Sequence, residues 1–235
     1  MYLSNSLVTS LLVFSLLAMI ASGFSLKSQF EAIDRNDPYY AFEKTQLEKF
    51  NHVRVRGNYH GFTLVQEGAH PELFVYPMAN EDGSSVVTWR LDRDTLVVSF
   101  RKDGRRARYF SGIFTGAPNV VIKTPSLAGF VSEEIPATIQ GFKTDSFSLK
   151  QQGFGVLLKE NDFQSLTADI HKGGELSVQW KNSFGNTDIT IRDSSAFRAD
   201  RNIFKVLRLH ADSSARLDLP GSLLDMLQLK PVYLP

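Results

Sequence analysis

The stretch "FSLKQQGFGVLLKENDFQSLTADIHKGGELSV" (residues 147–178) contains two copies of one pattern, and this pattern decides the fold. Each copy has an apolar-polar-apolar triplet and, after a polar interval, a second apolar pair. The triplets FSL, ADI, ITI and LRL begin at Phe147, Ala168, Ile189 and Leu207, with spacings of 21, 21 and 18 residues. The second pairs are Val156/Leu158, Leu176/Val178, Phe197/Ala199 and Leu217/Leu219. The C-terminal half therefore repeats about every twenty residues.

A repeat of this length with short strands predicts stacked coils. One copy cannot bury its apolar side alone, but it can do so against the next copy. We therefore predict an all-β fold, a right-handed single-stranded β-helix of about four coils, because crossovers between parallel strands are right-handed. An antiparallel sandwich with strands at similar spacing is the alternative. "PGSLLDMLQLKP" (220–231) predicts a short C-terminal capping helix with Ser222 as its N-cap.

The region before the repeat predicts short antiparallel strands. In "FNHVRVRG" (50–57), Val53 and Val55 alternate with Arg54 and Arg56, which is the period of a half-buried strand. Similar segments follow to about Phe110. The turn motifs "EDGSS" (81–85), "LDRDT" (91–95) and "KDG" (102–104) separate them and suit connections between antiparallel neighbours.

The N-terminus predicts an exported protein. An apolar stretch runs from about Leu7 to Ile20, and the first charged side chain is Lys27. The apolar length suits a secretory signal, with the small residues Ala21 and Gly23 placed for cleavage before Phe24. We predict a signal peptide over residues 1–23, a linker over 24–46 and a β-helical domain over 47–235. An uncleaved anchor is the alternative.

Composition excludes several classes of function. The net charge is +1, and phosphate binding needs a clear basic excess, so nucleic acid is not an expected partner. There is no cysteine, which excludes disulfides, thiolate nucleophiles and lipid attachment through a thiol. The only membrane contact that the sequence predicts is through the N-terminal signal segment.

Residues 47–219 resemble the GIN domains, a family of bacterial exported domains also named auto-transporter adhesin head domains. The resemblance rests on "FNHVRVRGNYHGFTLVQEG" (50–68), "LVVSF" (96–100), "NVVIKTPSLAGF" (119–130) and the repeats from Asp145 to Leu219. These motifs are structural, and the resemblance brings no catalytic residue with it. It implies a β-helical, envelope-facing protein with an adhesin-like role.

No residue pattern predicts a metal, a cofactor or a nucleophile. The five histidines, His52, His60, His70, His171 and His210, form no pair at the spacing of metal ligands. No serine lies in a nucleophile-elbow motif. We therefore predict that the protein is not an enzyme and has no cofactor.

Two groups of charged residues allow a functional alternative. Asp193 and Asp212 open two "DSSA" corners on successive repeats, where a polysaccharide lyase or hydrolase of the β-helix type could place its carboxylates. Asx-turns explain both residues more simply. The basic turn "RKDGRRARYF" (101–110) suits a solvated edge hairpin, or a site for an anionic polymer or a lipid headgroup.

The outward residues of the predicted coils form the candidate binding site. These residues are Ser148, Asp169, Thr190 and Arg208 on one side, and Leu157, Ser177, Arg198 and Asp218 on the other. A flat ladder of polar groups suits weak, repeated contacts with an extended polymer. We therefore predict a non-enzymatic binding or scaffolding protein of the periplasm or cell surface, which contacts a glycan or another envelope protein.

Overall fold

The computed structural model describes residues 2–31, 37–57, 61–80, 82–101 and 117–227. The chain divides into two compact units, Met1–Ala41 and Phe42–Pro235. The predicted linker, residues 24–46, contains the end of a helix in the first unit and a short strand, Glu43–Gln46, in the second. The predicted cleavage after Gly23 and the predicted domain boundaries stay predictions.

The first unit contains one long helix, α1 (Tyr2–Glu31). Its apolar side chains are exposed, and the 23-residue segment Ser6–Ser28 contains an 18-residue window with a mean hydropathy of 2.2. A helix rises about 1.5 Å per residue, so this segment is long enough to cross the hydrocarbon core of a membrane. A signal sequence has the same length and composition, so both interpretations of the N-terminus are compatible with α1.

The second unit is built from β-strands, with one short helix near its C-terminal end. The strands are β1 (Glu43–Gln46), β2 (His52–Gly57), β3 (Thr63–Glu67), β4 (Glu72–Val75), β5 (Val87–Asp92), β6 (Thr95–Phe100), β7 (Val120–Thr124), β8 (Gly129–Glu133), β9 (Ala137–Gln140), β10 (Lys143–Gln152), β11 (Gly155–Lys159), β12 (Asp162–His171), β13 (Glu175–Val178), β14 (Ser183–Ile191), β15 (Ala196–Ala199), β16 (Phe204–Ala211) and β17 (Arg216–Asp218). The helix is α2 (Gly221–Met226).

These strands form two large sheets. Sheet I has nine strands in the order β1-β4-β7-β3-β9-β11-β13-β15-β17, and sheet II has eight in the order β16-β14-β12-β10-β8-β2-β6-β5. From β8 onward the chain alternates between the two sheets, with the longer strands in sheet II. Side chains from both sheets belong to one apolar core.

The predicted fold class is wrong. The structure has two mostly parallel sheets of eight and nine strands, and not a single-stranded β-helix that follows an antiparallel region. Among the described strands, the antiparallel pairs are β1–β4, β4–β7 and β5–β6. In the N-terminal part, β2 pairs in parallel with β6 and β8, and β3 pairs in parallel with β7 and β9. The same turn motif can end a strand before a hairpin or before a crossing to the other sheet. The turn motifs therefore could not show which strand the next strand pairs with.

The predicted pairing of the repeats is right in sheet I and partly displaced in sheet II. In sheet I, Leu158 lies beside Val178, and Val178 lies beside Ala199, as their spacing predicts. In sheet II, Ala168 lies beside Ile189 as predicted, but its other neighbour is Leu149 and not Phe147. The predicted pairing between the last two triplets, which begin at Ile189 and Leu207, is also displaced by two residues. A shift of two residues keeps every side chain on its predicted face, because side chains alternate with a period of two.

Stacked phenylalanines fill the core between successive strands of sheet II. The ring of Phe163 lies 4.6 Å from that of Phe147 and 5.3 Å from that of Phe184, and both pairs are stacked. Phe204 continues the row at 5.6 Å from Phe184. These rings are buried, and their contacts add to the free energy of burying apolar surface.

Two buried asparagines connect successive repeats. They lie at the corners that precede Phe163 and Phe184. Asn182 Nδ2 donates to the carbonyls of Leu158 (2.8 Å) and Gln179 (2.7 Å). The side-chain oxygen of Asn182 accepts the backbone N–H of Asn161 (2.8 Å). Asn161 Nδ2 in turn donates to the Ile139 carbonyl (2.9 Å). These bonds satisfy corner backbone groups that would otherwise be buried without partners.

The short helix α2 is present where the sequence predicted it, but its predicted cap is wrong. The N-cap residue is Pro220, with no side-chain capping bond, because the helix begins one residue before Ser222. Leu223 is fully buried in the core, whereas Leu224 is exposed. Leu223 therefore anchors α2 to the core. Pro231, the predicted stop signal, lies outside the described residues.

Candidate binding face

Two parallel rows of outward polar side chains run across the last four strands of sheet II. One row is Ser148, Thr167, Asp188 and Arg208, and the next is Lys150, Asp169, Thr190 and His210. Neighbouring strands lie about 4.8 Å apart, so each row presents one polar group per strand at a regular interval. We call these eight residues the ladder face.

The four predicted site residues all lie on the ladder face, but they do not form a single row. Asp169 and Thr190 are direct neighbours, as predicted. Ser148 and Arg208 lie two positions away along their strands, in the other row. The apolar pattern aligns the triplets with one another, whereas the strands in the structure pair two residues further along. This displacement moves Ser148 and Arg208 into the other row.

Asp169 is held by an arginine from the following corner. Arg192 Nη2 lies 2.9 Å from Asp169 Oδ2, and Arg192 Nε donates to Oδ1 at 3.2 Å. This carboxylate raises the pKa of the Arg192 guanidinium through the hydrogen bond and the opposite charge. His171 Nδ1 is 3.9 Å from Asp169 Oδ1, too far for a hydrogen bond. The Asp169–Arg192 pair therefore fixes one polar group of the ladder face in a defined position.

The remaining groups of the ladder face are more open. Ser148, Lys150, Thr167, Arg208 and His210 are exposed. Asp188 is half-buried, and its carboxylate lies 3.7 Å from His210 Nε2. Hydroxyls, an ammonium, a guanidinium and an imidazole are therefore exposed on one surface of the sheet, where they can bind hydroxyl or acidic groups of a ligand.

The second predicted row lies on sheet I with the predicted pairing. Leu157, Ser177, Arg198 and Asp218 are successive neighbours across four strands. Arg198 Nε donates to Asp218 Oδ2 at 2.9 Å, so the two charges of this row are paired with each other. Ser177 is buried and Leu157 is half-buried. This row therefore offers fewer free polar groups than the ladder face.

In the "DSSA" corners, the carboxylate of Asp212 connects the two successive copies. Asp212 Oδ2 accepts the backbone N–H of Asp193 at 2.8 Å, and Oδ1 accepts both the N–H and the hydroxyl of Ser214 at 2.8 Å. The Asp193 bond and then the Ser214 bonds lower the pKa of the Asp212 carboxyl. A general acid in glycoside cleavage needs a raised pKa, so Asp212 is suited to holding the corner and not to donating a proton.

Within the described part of the chain, no three His, Asp or Glu side chains are grouped as metal ligands. His60 lies outside it. Of the predicted basic turn, residues 101–110, the described part includes only Arg101, whose backbone N–H donates to the Val86 carbonyl.

Two features of the structure were not predicted from the sequence. The corner asparagines are one, although Asn161, Asn182 and Asn202 each stand two residues before a phenylalanine and are spaced 21 and 20 residues apart. The other is an arginine-lined groove on sheet II, formed by strands that are distant in sequence. The alternation in "VRVRG" (53–57) had already placed Arg54 and Arg56 on the outward side.

No family model matches the chain, and no curated protein matches it. Several solved structures do. One is a "putative adhesin" from Bacteroides fragilis, which is 11% identical with a TM-score of 0.40 over 76% of this chain and 96% of that chain. Another is a "putative cell adhesion protein" from Clostridium sporogenes, which is 7% identical with a TM-score of 0.26 over 76% of this chain and 97% of that one.

A third similar structure is a "putative lipid binding protein" from Parabacteroides distasonis. It is 10% identical, with a TM-score of 0.23 over 76% of this chain and 96% of that chain. These identities and TM-scores are too low to transfer a residue, a ligand or a function to this protein. The resemblance to the GIN domains stays a proposal.

Proposed function

We propose that this protein is an exported, non-enzymatic binding protein of the bacterial envelope, an adhesin-like member of the GIN-domain type. The ladder face is its binding surface, and a glycan or another envelope protein is its partner. The observation that carries the proposal is the pair of outward rows on sheet II, with exposed polar groups at a regular spacing of about 4.8 Å. Weak contacts repeated at a fixed interval give useful affinity for an extended polymer.

The arrangement of the carboxylates favours binding over catalysis. Asp169 is paired with Arg192, and Asp212 holds a corner through three hydrogen bonds. Hydrolytic sites bring titratable groups with pKa values matched to proton transfer into one cleft. The ladder face instead spreads its titratable groups along rows. The polysaccharide lyase or hydrolase of the alternative would need free carboxylates or a basic cluster on the ladder face itself, facing one bond of the substrate.

We expect the purified protein to be retained on an envelope fraction or on a glycan from a panel of acidic and neutral glycans, without releasing products. The variant Arg208→Glu reverses a charge on the ladder face and should lower retention several-fold. Arg216→Glu is the matched control, because Arg216 is also exposed in the last repeat but belongs to sheet I. Product formation that is lost in Asp193→Ala or Asp212→Ala would contradict the proposal, as would equal retention of both charge variants.

Export is tested by the mass of the protein in its native envelope. Apolar side chains of α1 are exposed from Leu7 to Phe30, which suits a segment that export machinery or a membrane receives. We expect the intact mass to lack residues 1–23. A mass that includes them would show that α1 is retained as an anchor, and recovery from the cytoplasm alone would contradict export.

A further inference from the structure

A second group of polar side chains lies at the other end of sheet II, on its outward surface. An open cavity of about 170 Å³, which we call the arginine groove, is lined by Arg56, Thr88, Arg90, Ser99 and Arg101 together with Trp89 and Val97. Thr88, Ser99 and Arg56 are direct neighbours across β5, β6 and β2. Three guanidinium groups therefore surround one small volume together with two hydroxyls.

The positive charge of the groove is only partly compensated. Glu133 lies beside Arg56 across the sheet, but its carboxylate forms an ion pair with Arg54, whose Nε donates to it at 3.0 Å. Asp92 lies 3.8 Å from Arg90, beyond hydrogen-bond distance. Within the described residues, Arg56 and Arg101 have no carboxylate within 4.0 Å. Arginine stays protonated at physiological pH, so an anion would relieve the repulsion among the three groups.

The guanidinium of Arg56 is oriented by its neighbour. Its Nε donates to Ser99 Oγ at 3.2 Å, and Ser99 is itself almost fully buried. This bond fixes the plane of the guanidinium and leaves its terminal nitrogens for a ligand. These two terminal nitrogens match the spacing of the two oxygens of a carboxylate, and charge-assisted hydrogen bonds of this kind are stronger than neutral ones.

The groove and the ladder face share one row of the sheet. Arg90 and Arg54 lie on either side of Val97, and the row continues through Val131 and Lys150 to Asp169, Thr190 and His210. It crosses eight strands, about 34 Å at 4.8 Å per step. A linear polymer along this row would place an acidic group in the groove and its following units on the ladder face.

We propose that the arginine groove binds a carboxylate of an acidic polysaccharide, and that the polymer continues across the ladder face. This inference rests on the proposed binding function and names its ligand class. A polysaccharide fits better than a membrane surface, because the residues that line the groove include one exposed apolar side chain, Trp89, beside three arginines and two hydroxyl residues. Binding to a bilayer surface needs a continuous apolar face, which one aromatic ring does not provide.

The test measures binding of a hexamer of galacturonic acid to the purified protein by calorimetry. Its fully methyl-esterified form, which has the same length without charge, is the ligand control. We expect the double variant Arg90→Gln/Arg101→Gln to lower the affinity for the acidic hexamer at least about tenfold, since two charge-assisted contacts are lost. The double variant Arg93→Gln/Arg216→Gln removes the same charge from exposed positions outside the groove, and we expect a change below about twofold.

The variant Arg90→Lys/Arg101→Lys keeps the charge but loses the paired N–H donors of the guanidinium groups. It should weaken binding by less than the Gln variant of the groove and by more than the control variant. A thermal melt of each variant verifies its folding. Equal losses in the groove and control variants would overturn the proposal, as would tighter binding to phosphatidylglycerol vesicles than to the hexamer. If the groove variants bind normally and Arg208→Glu does not, the proposed role of the groove is contradicted and the proposed role of the ladder face is supported. Absence of both hexamer binding and envelope retention would overturn both proposals.

Discussion

Replacing Val178 by aspartate is expected to unfold the second unit of the protein. Val178 is 1% exposed and lies on the inner side of sheet I, between Leu158 and Ala199 of the neighbouring strands. A carboxylate at this position would be buried with no cation or donor opposite it, which costs several kcal/mol. The whole stability of a domain is about 5–15 kcal/mol, so circular dichroism should show loss of cooperative melting or a fall in melting temperature well beyond 10 °C.

The control for Val178→Asp places the same residue on the outward surface of sheet II. Ser148 is exposed on the ladder face, and its neighbours across the sheet, Gly129 and Thr167, carry no charge. Ser148→Asp should therefore leave the melting temperature within about 2 °C of the parent, since exposed substitutions change stability little. An unchanged melting temperature in Val178→Asp would show that Val178 is not in the core, and would reject the strand pairing of sheet I.

The C-terminal repeats could be predicted from the sequence because their period is nearly constant. Apolar pairs such as Leu176/Val178 and Phe197/Ala199 recur at the spacing of neighbouring strands, and they do lie side by side. The displaced pairs on sheet II have a simple cause. The triplet that begins at Phe147 is followed by Gln151, a buried polar residue that occupies an inward position beside Ile170. Hydropathy alone could not identify Gln151 as part of the core.

The N-terminal half could not be predicted in the same way, because its neighbouring strands have no fixed separation in sequence. Arg56 and Ser99 are direct neighbours across 43 residues, and Arg54 meets Glu133 across 79. Strand β2 lies between β6 and β8, so the chain adds strands on both sides of it. Alternation showed which side chains point outward, but only the strand order brings Arg56 and Arg90 to one groove. This is why the ladder face was predicted in outline and the groove was not.

Replacing Asn182 by aspartate is expected to cause the second large loss of stability. The change keeps the size of the side chain and replaces its two N–H donors by an oxygen. That oxygen would face the carbonyls of Leu158 and Gln179, which now accept hydrogen bonds at 2.8 and 2.7 Å. Asn182 is 5% exposed, so water cannot replace the lost donors. We expect a loss of about 3–5 kcal/mol in the free energy of unfolding, measured by urea denaturation at pH 7.

Asn186→Asp is the matched control for Asn182→Asp, because Asn186 is exposed on β14, the strand that begins directly after Asn182, four residues further along the chain. It introduces the same chemical change and the same charge at the surface, and should alter the free energy of unfolding by less than about 0.5 kcal/mol. The two variants differ in the burial of the side chain and in whether the amide holds a corner between successive repeats. Similar small losses in both would show that the corner asparagines are not required, and that packing of the phenylalanine row from Phe147 to Phe204 is sufficient to keep the repeats aligned.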